Sequence, residues 1–133
     1  MKNFKQFAFV FSLVLVVAFM SVGQAMAQGG VMESVKSAMK AGSSKDLARS
    51  FNSTVELTLN GKEATSYSST QAEFVMKNFF SKNAPVDFTY SHQGSSDKGQ
   101  QYAIGTYSSK SGTYTVLVRM KESKIQSMNF IKD

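Results

Sequence analysis

Proton-transfer chemistry in this chain has few carriers. His92 is the only histidine in 133 residues, and there is no cysteine. An imidazole with an ordinary pKa of about 6.5 suits a general base at neutral pH. Two tyrosines accompany it: Tyr90, on the same face of any strand that alternates regularly through both, and Tyr67, expected at the rim of the fold. A base and a phenolic donor meeting at one desolvated place are the minimum for a small cofactor-independent isomerase or lyase. The competing reading makes His92 a hydrogen-bonded residue at a strand end, two positions before Gly94. No carboxylate shares its expected face, because alternation puts Asp87 on the opposite one.

Other chemistries lose their support more cleanly. Without cysteine there is neither a thiolate nucleophile nor a zinc–cysteine site, and one histidine among dispersed carboxylates has no metal-ligand spacing. The serines form no G-x-S-x-G elbow, and residues 94–99 lack the Lys-Ser/Thr ending and following helix of a phosphate loop. We therefore assign no catalytic residue and expect no metal or cofactor. The residues expected to meet a ligand are Tyr67, Tyr90 and His92. Arg119, on the Leu117 face of its segment, is expected to pair across the sheet with Glu56 or Asp87. The formal charge of +6 includes Lys2 and Lys5 of the leader described next, and the remaining lysines are scattered, which argues against a nucleic-acid groove.

The elements that must position these side chains follow in order. Lys2 and Lys5, an apolar run over residues 7–20 and the ending Ala25-Met26-Ala27 make a secretory signal peptide over residues 1–27. The run falls short of the roughly 18 to 20 residues that span a bilayer, so cleavage with no stable membrane insertion afterwards is expected. Residues 28–133 then form one domain, exported to periplasm or medium. Val31, Val35, Ala38 and Met39 repeat at helical spacing up to Gly42, and a short helix capped by Ser44 follows. Val55, Leu57 and Leu59 alternate as a strand ending at Asn60-Gly61, and residues 62–67 return. Thr70 and Glu73 have capping-box spacing, with Ser68 or Ser69 as alternative caps, before a helix burying Ala72, Val75, Met76, Phe79 and Phe80. Phe74 falls on the other side of that wheel. Pro85 stops the helix, and residues 86–131 read as four strands joined by short turns, hence antiparallel. Val86, Phe88, Tyr90 and His92 are expected on one face.

The words Phe51-Asn52, Val55-Glu56-Leu57, Tyr67-Ser68, Gln71-Ala72, Phe79-Phe80, His92-Gln93-Gly94, Tyr102-Ala103-Ile104-Gly105 and Gly112-Thr113-Tyr114 carry a resemblance. They are similar to those of a family of short exported bacterial proteins of unknown function in the nuclear transport factor 2-like, cystatin-like α+β superfamily. The resemblance implies helices packed in a curved antiparallel sheet, a cone whose interior holds the acid–base groups of the superfamily's enzymes. It transfers no catalytic residue. The expected function is an exported non-catalytic module that binds a small apolar ligand or an envelope protein, with a homodimer formed through the outer sheet face. The alternative is an isomerase or lyase using His92 with Tyr90 or Tyr67. An open interior beside His92 decides between them, since an empty core costs about 24 cal/mol per Å³.

Overall fold

The computed structural model describes residues 30–133; the expected leader lies outside them. Helix α1 runs through residues 30–41 and buries Val35, Ala38 and Met39, the face its spacing defines. Gly42 ends it at φ +66°, and a Cβ there would stand 3.0 Å from Pro85 Cγ, so the turn and the close approach both require glycine. Helix α2, Ser44–Ala48, is capped by Ser43 rather than Ser44: Ser43 is extended, and its hydroxyl accepts from the Asp46 N–H at 3.2 Å.

Strand β1 (Phe51–Leu59) turns at Asn60 and Gly61, both with positive φ, and pairs antiparallel with the short β2 (Thr65–Ser68). The capping box of helix α3 (Ser69–Lys82) uses Ser68 and Gln71, two positions before the Thr70–Glu73 pair. Each side chain accepts from the other's backbone N–H, at 3.2 and 3.1 Å. Its buried stripe is Ala72, Met76, Phe79 and Phe80, with Val75 partly covered. Asn83 closes the helix and Pro85 opens β3 (Pro85–Ser95). A short 3-10 turn leads into β4 (Gln100–Ser109), β5 (Gly112–Lys121) and β6 (Lys124–Lys132).

The six strands form one sheet in the order β2-β1-β6-β5-β4-β3. The expected meander is present, but the sheet is mixed rather than antiparallel throughout, because β1 lies parallel to β6, with Glu56 opposite Ser127 and Leu57 opposite Met128. The chain between β1 and β6 is long enough to serve as the crossover that a parallel pair needs. One sheet face and the helices enclose a single core of aliphatic and aromatic side chains. Phe79 sits among the rings of Phe80, Tyr107, Tyr114 and Phe130, with centroids 4.7 to 6.1 Å away. Among the described residues no buried side-chain nitrogen or oxygen lacks a hydrogen-bond partner.

Edge strand β3 carries two irregularities. Pro85 faces Ser109 and Asp87 faces Ser108, which leaves Val86 as an extra residue, 66% exposed. Tyr90 faces Gly105 and His92 faces Ile104, which leaves Ser91 as the second extra residue. A proline and two bulges make the edge a poor template for strand addition. Each bulge also moves every later side chain to the opposite face.

Candidate functional site

The second bulge corrects the expected grouping of Val86, Phe88, Tyr90 and His92. Phe88 and Tyr90 face the core opposite Tyr107 and Gly105, while Val86 is displaced and His92 emerges on the outer face opposite Ile104. Ser91 makes the step tolerable: its hydroxyl donates to the Ile104 carbonyl at 3.1 Å and gives it a partner beside the interrupted ladder.

Tyr90 is half-buried, its ring edge-on to Phe88 at 5.2 Å. Its hydroxyl donates to the Met32 carbonyl of α1 at 2.8 Å. Burial, reinforced by the charge of Glu33, pushes this phenol well above its ordinary range. Burial, followed by Tyr114, does the same to Tyr107, whose hydroxyl donates to the Asn83 carbonyl. Both groups hold their protons in the fold, whereas an unfolded tyrosine titrates at about 10. Their contribution to stability is complete below that pH and is lost as pH rises above it. We expect the melting temperature to decline from about pH 10 upward, and to decline less steeply in Tyr90→Phe. Identical alkaline slopes in the two proteins would mean that Tyr90 does not take part.

His92 is exposed, and its Nε2 lies 3.2 Å from the Tyr102 hydroxyl with the rings tilted at 5.6 Å. Tyr67 is half-buried on β2, opposite Val55 of β1. It lines a groove of about 550 Å³ with Leu59, Phe74, Val75 and Phe79. The three residues expected at one site therefore occupy the core, the outer sheet face and a groove beside α3. A base on one side of a sheet and a donor on the other have no common substrate position, because proton transfer needs both within hydrogen-bond reach. Among the described residues no three His, Cys, Asp or Glu side chains come together as a metal site.

The structure also assembles a second group of residues, on the outer face of the sheet. Register places Glu56, Ser127, Arg119 and Tyr102 in one row across β1, β6, β5 and β4. The next row holds Thr58, Asn129, Leu117, Ile104 and His92. The first row, with Leu117 and Ile104 of the second, lines a trough of about 620 Å³ on the outer face, with Tyr102 37% exposed. Arg119 does share the Leu117 face, but Ser127 separates it from Glu56, so those two are not cross-strand neighbours. Asp87 pairs instead with Lys40 of α1 at 3.7 Å. Period-two alternation on β4 and β5 was the available signal for this face; the identity of the neighbouring strands was not.

The model of a domain of unknown function, DUF4783, matches residues 32–132. The chain belongs to this family. A crystal structure of a DUF4783 family protein from Bacteroides ovatus ATCC 8483 is 29% identical, with a TM-score of 0.71 over 75% of this chain and 93% of that one. Two more distant structures are similar in fold alone. One is a domain of unknown function with a cystatin-like fold from Nostoc punctiforme PCC 73102, 10% identical with a TM-score of 0.63, covering 82% of this chain and 76% of its own. The other is an NTF2-like protein of unknown function from Cytophaga hutchinsonii ATCC 33406, 10% identical with a TM-score of 0.57 over 77% and 87%. No curated protein matches the sequence. The α+β cone and the family expected from the sequence are both met.

Proposed function

We propose that this protein is an exported, non-catalytic binding module whose working surface is the outer face of its sheet, and that its partner there is a second copy of the same chain. The observation that supports this is where the apolar side chains lie. The interior is filled by the protein's own rings, while Tyr102, Ile104, Leu117 and the half-exposed Ile131 occupy adjoining positions on the side away from the helices. Such a patch, rimmed by polar residues, marks an interaction site more often than a solvated face.

Charge adds direction. Among the described residues the ion pairs are Lys40–Asp87 and Arg49–Asp46, so Arg119 and Glu56 both reach solvent without a partner. They sit two strands apart in one row. A second copy related by a two-fold axis would set its Glu56 against Arg119 and its Arg119 against Glu56, the reciprocal pairing of an isologous interface. Export rests on the leader pattern, and an envelope protein presenting a similar face is the other partner of this class.

Sedimentation velocity tests the reading. The protein is expected to sediment as a dimer, Leu117→Lys as a monomer, and Arg119→Glu as a weaker dimer that Glu56→Arg restores in the double variant. A wild-type chain that remains monomeric at every concentration overturns the self-association, and loss of dimer without rescue overturns the charge pairing.

A further inference from the structure

Phe74 is unexplained by the fold and by the sheet face. It is 64% exposed on the polar side of α3, beside Glu73 and Lys77. A single exposed phenylalanine means little. This one, however, is a wall of the groove that also holds Tyr67, and the charge in the remaining lining is of one sign: Leu59, Val75 and Phe79 are apolar, Asn60, Asn78 and Asn83 are neutral amides, Lys62 and Lys82 are cationic, and no carboxylate lines it.

We propose that this groove is a second binding site, for a small amphipathic anion in which an aliphatic or aromatic chain ends in a carboxylate. The site is independent of the sheet-face reading. Its volume of about 550 Å³ falls in the range of small-molecule pockets, roughly 300 to 1,000 Å³. Two points of its wall are tied into the fold. The Asn60 N–H donates to the Phe130 carbonyl at 2.8 Å and fastens the β1–β2 turn to β6. Asn83 is spent on the fold: its side-chain carbonyl accepts from the Tyr114 and Ser111 hydroxyls, and its amide donates to the Phe79 carbonyl at 3.1 Å. Recognition therefore falls to the groups left over.

Those groups divide into an apolar and a charged part. Phe74, Val75 and Leu59 offer surface to a chain, and the Tyr67 hydroxyl, which makes no hydrogen bond among the described residues, offers a donor near it. Neither lysine has an ion-pair partner among the described residues. Lys82, in the last turn of α3, faces the partial negative charge of the helix end and is already useful there. Lys62, next to Gly61 in the turn, has no such task, which makes it the anchor for the carboxylate. An entirely apolar ligand would leave that cation unanswered, and an inorganic anion would leave Phe74 unused.

The probes are octanoate and its neutral counterpart 1-octanol, titrated into the whole chain and followed by amide chemical-shift perturbation. Octanoate is expected to shift residues 59–62, 67 and 74–83 together, and octanol to bind about fivefold more weakly, the scale of one exposed ion pair. Phe74→Ser and Lys62→Glu are each expected to weaken octanoate binding by at least a similar factor. Their melting temperatures should stay unchanged, since both side chains are exposed. Equal affinity for the two probes overturns the anionic class. Shifts confined to the outer sheet face, or no saturable binding, overturn the site.

Discussion

Phe79→Ala is expected to lower the unfolding free energy by about 3 to 5 kcal/mol, the range for removing a buried aromatic ring. The ring packs against Phe130 at 4.7 Å and meets Tyr114 edge-on at 5.3 Å, Tyr107 at 5.7 Å and Phe80 at 6.1 Å. Its loss opens a cavity where α3 joins β4, β5 and β6, and those four neighbours are themselves packed too well to close it. Asn83, whose backbone N–H and side-chain amide both donate to the Phe79 carbonyl, keeps that end of the helix in place while the void forms. A domain of this size has a total stability of about 5 to 15 kcal/mol and no disulfide to reinforce it. Urea denaturation followed by far-ultraviolet circular dichroism measures the loss as a lowered midpoint. A change below about 1 kcal/mol would mean that the ring cluster relaxes freely and is not the centre of the core.

Gly105→Ala is the second large effect, of opposite kind. A Cβ at this position would stand 2.6 Å from Phe88 Cζ, 2.8 Å from Cε1 and 3.0 Å from the Thr89 carbonyl oxygen. Phe88 is fully buried and braced edge-on by Tyr90, so its ring has nowhere to go, and the third contact is backbone. Overpacking of this sort costs about 1 to 3 kcal/mol. The diagnostic measurement is a double-mutant cycle. Phe88→Leu alone should destabilise, but combined with Gly105→Ala it should cost less than the two changes summed, because the smaller side chain vacates the space the methyl enters. Strict additivity would show that the strain lies in the β3–β4 backbone and not between these two groups.

The same pair explains a sequence feature that admitted two readings. Ala103-x-Gly105 leaves room on one face of β4, which suits a ligand cavity or close packing equally well. The room beside Gly105 belongs to Phe88, a residue of the adjacent strand that pairs one step away, opposite Tyr107. Small residues reveal that something approaches closely; they do not say what. Phe51, Phe79, Phe80, Phe88 and Phe130 fill the interior, and all five are buried. The candidate site was poorly legible in the sequence. Tyr67, Tyr90 and His92 were grouped by residue type and by alternation, and alternation assumes a strand without insertions.

Local rules by themselves determined much of the architecture: the apolar stripe of α3 around Phe79 and Phe80, the stop at Gly42, the turn at Asn60-Gly61 and the four strands after Pro85. These are decided over a few residues, by side-chain period, by caps and by the few conformations that glycine and proline favour. Tertiary structure alone decided three things. It paired β1 with β6 in parallel across most of the chain; it placed the bulge at Ser91 that carries His92 out of the core; and it brought Glu56 of β1 and Tyr102 of β4 onto the outer face that Arg119 and Leu117 share. The physical reason is common to all three. Register belongs to two strands at once, set by which neighbour satisfies the backbone and which side chains fill the shared face. One strand's pattern does not contain its partner's.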